Sequence, residues 1–166
     1  MKQILLMRHA KSGWDHPNLT DFERPLNQQG KEDAHRMGQY LWDIKYNPAV
    51  LISSPAQRAK RTAQLCAQAA KIDEEHIIWD KQLYHGSVSN YLTAIQSAVE
   101  DYERIMLVGH NPLMEHTVSL LCGAEFAIVR MPAAALVCVE SAAEQWQDIR
   151  FGSCKIQWMM IPKMLK

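Results

Sequence analysis

Short apolar runs alternate along this chain with longer stretches in which apolar residues return every three or four positions. Residues 2–7, 50–52 and 105–108 hold such runs, and each run stops at a polar or charged residue. Runs of this kind are typical of strands that are buried on both faces of a parallel sheet. Further strands are predicted at residues 76–79, 134–140 and 155–161.

Two of the intervening stretches have the spacing of amphipathic helices, and a third helix is predicted from its start. In residues 28–44, apolar residues such as Met37 and Leu41 recur on one face, and polar residues occupy most of the remaining positions. Residues 89–100 show the same periodicity, and an Asn-Pro pair predicts the start of a helix over residues 111–121.

A fourth helix is predicted from its start signals. Ser54 suits the N-cap, Pro55 suits the first helical position, and Gln57 completes a capping box. These three residues together predict a helix that is capped by the Ser54 side chain.

The order of these elements predicts the fold class. Strands alternate with helices, which indicates an α/β three-layer sandwich with a mostly parallel central sheet. The length of 166 residues suits one domain spanning residues 1–166. Gly and Pro residues within 11–26 predict a long loop after the first strand. Folds of this class bind ligands at the carboxyl ends of their strands.

The charge balance excludes one broad class of function. The chain has 18 Lys and Arg against 18 Asp and Glu, so it lacks the basic excess of a general nucleic-acid binder. The balance is uneven, because residues 1–61 hold ten basic and six acidic residues. The surplus of four positive charges in this part is compatible with an anion site and equally with ordinary scatter of surface charge.

The cysteines and the apolar runs indicate the cellular compartment in which the protein is expected. Cys66, Cys122, Cys138 and Cys154 form no CxxC pair, so a zinc ribbon or a thioredoxin-type site is not expected. The first apolar run is too short for a signal peptide, and no stretch has the length of a membrane helix. We therefore expect a cytoplasmic protein without membrane partners.

Charged and polar residues stand at the carboxyl ends of three predicted strands. Arg8 and His9 follow the first strand, Arg58 lies about one turn into the helix that begins at Ser54, and His110 follows the strand near residue 105. Because parallel strands end at the same edge of a sheet, we expect these side chains to converge.

Two arginines and two histidines in one place favour a phosphate site. Imidazole serves as nucleophile, base or metal ligand, while a neighbouring guanidinium disfavours a cation and binds phosphate oxygens. Arg8 also disfavours protonation of His9. Taken singly, His9 is compatible with a structural role, Arg58 with a solvated surface position, and His110 with a cap at a helix start.

Four spaced motifs, in this order, resemble those of the histidine phosphatase superfamily, whose members have phosphoglycerate mutase-like folds. The short chain and its opening motif are most similar to the SixA-type phosphohistidine phosphatase branch. The motifs are Arg8-His9-Ala10-Lys11-Ser12, then Asp21 to Leu26 with Gly30, then Ser53 to Ala59, and Gly109-His110-Asn111-Pro112.

The resemblance implies a role for each matching residue. His9 is the expected nucleophile, which forms a phosphohistidine intermediate. Arg8, Arg58 and the catalytic His110 are expected to form the phosphate pocket, and Arg24 is expected to lie near it. No metal and no cofactor is expected, because the arginines supply the positive charge that Mg²⁺ gives in other phosphoryl-transfer enzymes.

The chain departs from the larger relatives in lacking a carboxylic acid at the expected places. The segment 82–88, where mutase-like members supply a Glu, has no carboxylate, and Asn111 stands where phytase-like members have Asp. An alcohol leaving group needs a proton, whereas the P–N bond to imidazole is weaker and its nitrogen accepts a proton more readily. His85 is a candidate acid or rim residue.

These features predict a metal-independent phosphatase that acts on phosphohistidine in a partner protein by way of phospho-His9. The alternative on the same scaffold is a small-molecule phosphomonoesterase, with His85, Glu23 or Asp21 as the acid. The sequence leaves the partner protein and the oligomeric state undefined.

Two functions of other classes fit less well. A metal hydrolase would draw its ligands from four histidines, which are His9, His85, His110 and His116. The chain has no HExxH motif, however, and the two arginines oppose a cation. A phosphoprotein-binding module that lost turnover would have no need of the nucleophile His9.

Overall fold

The computed structural model describes residues 1–166, and its elements follow the predicted order. The strands are Lys2–Arg8 (β1), Val50–Ser53 (β2), Ile77–Trp79 (β3), Arg104–Gly109 (β4), Leu136–Ser141 (β5) and Cys154–Met160 (β6). The helices are Gln28–Asp43 (α1), Gln57–Ala69 (α2), Gln82–His85 (α3), Val88–Gln96 (α4) and Leu113–Leu121 (α5). Short 3-10 turns span Glu74–His76, Trp146–Asp148 and Pro162–Leu165.

The six strands form one sheet in the order β3-β2-β4-β1-β5-β6. The four strands from β3 to β1 run parallel, and β5 and β6 continue the sheet in antiparallel pairing. The predicted α/β architecture with a mostly parallel sheet is confirmed. β1 lies between β4 and β5, so the residues that follow it stand near the centre of the sheet edge.

The alternation of side chains along β1 divides the core into two layers. Ile4 and Leu6 belong to the layer under α4 and α5, whereas Leu5 and Met7 belong to the layer under α1 and α2. All four are fully buried, which agrees with a strand covered by helices on both faces.

The two helices on one face lie unusually close together. A side chain added at Gly38 of α1 would collide with the main-chain carbonyl of Cys66 in α2 and lie 2.9 Å from Cβ of Ala69. The small residues Ala34 and Ala63 are also fully buried in this layer. Small side chains therefore set the distance between α1 and α2.

The predicted start of α2 is wrong. The helix begins at Gln57 with Ala56 as its N-cap residue, and the Ser54 side chain does not cap it. Ser54 precedes a proline, which disfavours helical backbone at that position. Its hydroxyl accepts a hydrogen bond from the Ala56 amide at 3.2 Å and contacts His110 Nε2 at 2.8 Å. Arg58 is consequently the second residue of the helix.

Other boundaries differ by a few residues. Helix α4 ends at Gln96, four residues before the predicted end, and α5 begins after Pro112 without a side-chain cap. The Asn111 amide instead donates to Glu115 Oε1 and to the Met131 carbonyl, both at 3.0 Å. None of the helices combines the length and the apolar character that crossing a bilayer requires.

Candidate functional site

The carboxyl ends of β1 and β4 meet at one cavity of about 760 Å³. Arg8 pairs with Gly109 in the register of these two parallel strands, so the residues that follow, His9 and His110, stand side by side. The centroids of their rings are 5.2 Å apart. Parallel pairing thus joins two histidines that are distant in the sequence.

The cavity brings together the five residues that were expected to form the phosphate site. Of the other residues in the motifs, Lys11 and Ser12 lie on its wall. The candidate acid His85 is exposed and does not line the cavity. The five lining residues of the expected site are Arg8, His9, Arg24, Arg58 and His110.

The neighbours of His9 fix the position of its proton. Its Nδ1 lies 2.7 Å from the Ala10 carbonyl, which can only accept, so Nδ1 carries the hydrogen. Its Nε2 receives a hydrogen bond from Arg58 Nε at 3.3 Å, so this nitrogen presents a lone pair. Thr62 supports the arrangement by accepting from the Ala10 amide and donating to the Arg58 carbonyl.

Burial keeps His9 neutral. The residue is 8% exposed, and burial together with the nearby charges of His110, Arg58 and Arg8 lowers its pKa from 6.5 to about 3. The sequence predicted this direction from Arg8 alone, but desolvation is the larger cause. The result is an unprotonated imidazole nitrogen at neutral pH, which is what a nucleophilic histidine requires.

His110 is buried in a similar way and has one nitrogen free. Its Nε2 contacts the Ser54 hydroxyl at 2.8 Å, while its Nδ1 is buried and has no hydrogen-bond partner. Burial, reinforced by Arg58, lowers the pKa of His110 to about 4.

Two arginines of the cavity also have an unpartnered nitrogen. Nε of Arg8 and Nε of Arg24 are both buried without a hydrogen-bond partner. One terminal nitrogen of Arg8 donates to the Met131 carbonyl at 3.0 Å, and Arg24 donates to the Ser12 hydroxyl and stacks 3.8 Å from the centroid of the Trp14 ring. The cavity therefore concentrates positive charge beside His9.

Two residues of the site were not assigned a role there by the sequence. Asp21 binds Arg58 and Arg24, and the Tyr84 hydroxyl donates to Asp21 at 2.8 Å. Asp21 had entered only as an alternative acid, although its place three residues before Arg24 in the same loop was a usable signal. No spacing in the sequence links Tyr84 to this loop, because the contact joins segments 63 residues apart.

The histidines of the metal-hydrolase alternative do not form a ligand set. The one cluster of side chains close enough to share a metal ion is Asp73, Glu75 and His76, all exposed and none of them lining the cavity. His85 packs its ring 4.7 Å from Tyr84 at the surface. The arginines that line the cavity beside His9 favour an anion over a metal ion.

Comparison with known proteins places this geometry in a family. The model of the histidine phosphatase superfamily (branch 1) matches residues 4–83. An uncharacterized chloroplastic protein of Arabidopsis thaliana is 30% identical over 155 residues, which cover 89% of this chain and 70% of the relative. Phosphoglycerate mutases align over a shorter stretch, and the chain spans only 28–29% of their length.

SixA proteins match over most of their length. Phosphohistidine phosphatase SixA of Escherichia coli is 25% identical over 126 residues, covering 74% of this chain and 76% of SixA. A structure of protein histidine phosphatase SixA with tungstate superimposes with a TM-score of 0.85 at 23% identity and covers 99% of both chains. The chain therefore belongs to the histidine phosphatase superfamily and has the fold of its SixA-type members.

Proposed function

We propose that this protein is a phosphatase that removes the phosphoryl group from phosphohistidine in a partner protein, through a phosphohistidine intermediate at His9. One observation carries the proposal. Beside the Nε2 of His9, which presents a lone pair, one cavity is lined by the His110 ring and by the guanidinium groups of Arg8, Arg24 and Arg58. A tetrahedral phosphoryl group is the ligand whose oxygens suit such a set.

The reaction proceeds in two displacements. His9 Nε2 attacks phosphorus in line, a new N–P bond forms, and the P–N bond of the substrate breaks. The leaving imidazole keeps the electron pair of that bond and takes a proton from solvent. Water then attacks phospho-His9, which returns His9 to its neutral form and releases inorganic phosphate with the remaining proton.

The arginines serve the transition state of both steps. Charge on the transferring phosphoryl oxygens is the main quantity that a phosphatase site must stabilise. Arg8, Arg24 and Arg58 supply three positive charges around His9, and this supports a mechanism that needs no metal ion. Tungstate, which accompanies SixA in a solved structure, is a tetrahedral oxyanion like phosphate and supports the same ligand class.

The available acids favour a P–N bond over an ester. Burial alone would raise the pKa of Asp21, but hydrogen bonds from Tyr84 and Arg58 outweigh it and hold that pKa below the usual value. Asp21 is therefore ionised and has no proton to give at neutral pH. Burial raises the pKa of Tyr84, which makes it a weak acid. Leaving groups that protonate without help, such as imidazole, suit this site best.

The rim of the cavity suits a phosphorylated side chain on another protein. Trp14 is 76% exposed at the rim, and Lys11, Lys163 and Lys166 also line the cavity. An exposed aromatic ring with several cations offers contacts to a protein surface around the phosphoryl group. A small phosphomonoester remains the second candidate, because a phosphoglycerate mutase of Streptomyces avermitilis shares 37% identity with this chain over 70 residues.

The test is a comparison of substrates. A phosphohistidine-containing protein and a panel of phosphate esters are incubated with the enzyme, with and without EDTA, and released phosphate is measured. We expect release from phosphohistidine, little release from esters, and no effect of EDTA. Faster turnover of an ester would favour the phosphomonoesterase, and loss of activity in EDTA would contradict the metal-independent mechanism.

A further inference from the structure

The Asp21 side chain binds two of the arginines that line the cavity, Arg58 and Arg24. Arg58 donates from one terminal nitrogen to the Asp21 carbonyl at 2.7 Å and from the other to Asp21 Oδ2 at 3.1 Å. Arg24 approaches the second oxygen, Oδ1, at 3.5 Å. One side chain of the 11–26 loop thus bridges two arginines that reach the cavity from different segments.

Tyr84 fixes this carboxylate from a third segment. Its hydroxyl donates to Asp21 Oδ2 at 2.8 Å, and its ring packs against Phe22 at 5.1 Å and His110 at 5.4 Å between centroids. Asp21 therefore has partners on both oxygens although its side chain is 51% exposed. A charge held in this way constrains the guanidinium groups it contacts.

The carboxylate also sets the charge of the pocket. Three arginines line the cavity with three lysines at its wall, both buried histidines are neutral, and Asp21 offsets one positive charge directly at Arg58 and Arg24. Without Asp21 the two arginines would lose this counterion, and the pocket would bind free phosphate more tightly.

We propose that Asp21 is a resident counterion of the phosphate pocket. As a positioning residue it holds Arg58 and Arg24 in place, and its charge limits how tightly the product phosphate is retained. Tyr84 keeps the carboxylate in position and acts only through it. This inference deepens the proposed phosphatase function and rests on it for its effect on turnover.

The decisive variant is Asp21→Asn, which keeps the shape and the main-chain carbonyl but removes the charge. We expect binding of inorganic phosphate, measured by titration calorimetry, to become about tenfold tighter. We expect kcat on phosphohistidine to fall by at least about tenfold, because the arginines lose their fixed position. Phosphate affinity that is unchanged or weaker in the folded variant would overturn the proposal.

Asp15→Asn is the matched control. Asp15 lies exposed in the same loop and forms no ion pair with either arginine. This variant removes the same charge, so unchanged phosphate affinity and kcat show that the contact, rather than the net charge of the loop, is responsible. Asp21→Glu keeps the charge and is expected to restore wild-type phosphate affinity.

Tyr84→Phe tests the link through Asp21. Because the carboxylate keeps its charge, phosphate affinity should stay within about twofold, while kcat falls by about two- to tenfold through loss of one hydrogen bond. In the Asp21→Asn background the same change should have no further effect on kcat. Additive losses would contradict a role for Tyr84 through Asp21.

Phosphate binding and turnover are separate measurements, so the role of Asp21 can be tested apart from the proposed phosphatase function. Phosphate binding needs no turnover, so a wild-type protein that binds phosphate but releases none from phosphohistidine or esters overturns the phosphatase function alone. The affinities of wild type and Asp21→Asn then still decide the role of Asp21.

Discussion

Two hydrogen bonds determine what His9 can do. The Ala10 carbonyl holds the proton on Nδ1, and Arg58 faces the lone pair on Nε2. Because a carbonyl cannot donate, the opposite tautomer would leave two acceptors facing each other at 2.7 Å. The main chain after β1 therefore selects Nε2 as the nitrogen that presents a lone pair.

His9→Ala should separate chemistry from binding. The variant loses the nucleophile, so we expect turnover of phosphohistidine to fall by at least about a thousandfold. Phosphate binding should persist, since Arg8, Arg24 and Arg58 remain, and titration calorimetry measures it directly. His116→Ala, at an exposed position of α5, is the control. Turnover that survives in His9→Ala would refute His9 as the nucleophile.

At the scale of single residues, the sequence predicted those side chains that end a strand or directly follow it. Arg8, His9 and His110 could be placed because parallel strands end at one edge. Asp21 and Tyr84 could not, since their contact depends on how a long loop folds over the sheet. Loop conformation is set by tertiary contacts that leave no periodic signal in the sequence.

At the scale of elements, the close approach of α1 and α2 holds the arginine of α2 against β1. Arg58 is the second residue of α2, and this helix packs on α1 where Gly38 faces the Cys66 carbonyl. A change in helix spacing would therefore move the guanidinium relative to His9. The helix start itself was mispredicted, because the Ser54 hydroxyl is engaged by His110 rather than by the helix.

Gly38→Ala tests this packing. Alanine favours helices, but the added methyl group meets main-chain atoms of α2 that cannot yield, so we expect a loss of about 1–3 kcal/mol in the free energy of unfolding. Urea denaturation followed by circular dichroism measures it. Gly13→Ala is the control, as its added methyl group would lie 3.7 Å from the nearest atom. An unchanged midpoint for Gly38→Ala would contradict the tight packing.

At the scale of the whole molecule, the neutral net charge conceals a local concentration of cations. Ten basic residues fall within residues 1–61, and Arg8, Arg24 and Arg58 are three of them. The structure gathers these three at one cavity with two buried neutral histidines. Composition excluded a general nucleic-acid binder, and the register of β1 with β4 brings His9 and His110 side by side at this cavity.

The buried histidines should make the protein sensitive to acid. The pKa values of His9 and His110 are lowered to about 3 and about 4 from 6.5. Below pH 6.5 the unfolded chain binds these protons and the folded protein does not, so stability is full above pH 6.5 and declines as the pH falls toward 4. Each histidine should cost about 2 kcal/mol between pH 6.5 and 4.5.

Urea midpoints measured across this pH range test the expectation. In His110→Asn the decline with falling pH should become shallower, because one of the two groups is gone. His116→Asn, which removes an exposed histidine, should keep the wild-type slope. A flat profile in the wild type would contradict the neutral state of His9 and His110 in the folded protein.

The pairing of β1 with β4 has a consequence for the time at which the site forms. During synthesis His9 is made before both strands that flank β1, since β4 begins at Arg104 and β5 begins at Leu136. A nascent chain that lacks these strands has His9 without its surrounding cavity. Under the proposed function we therefore expect phosphate binding to appear late in biogenesis, once the sheet has closed around its central strand.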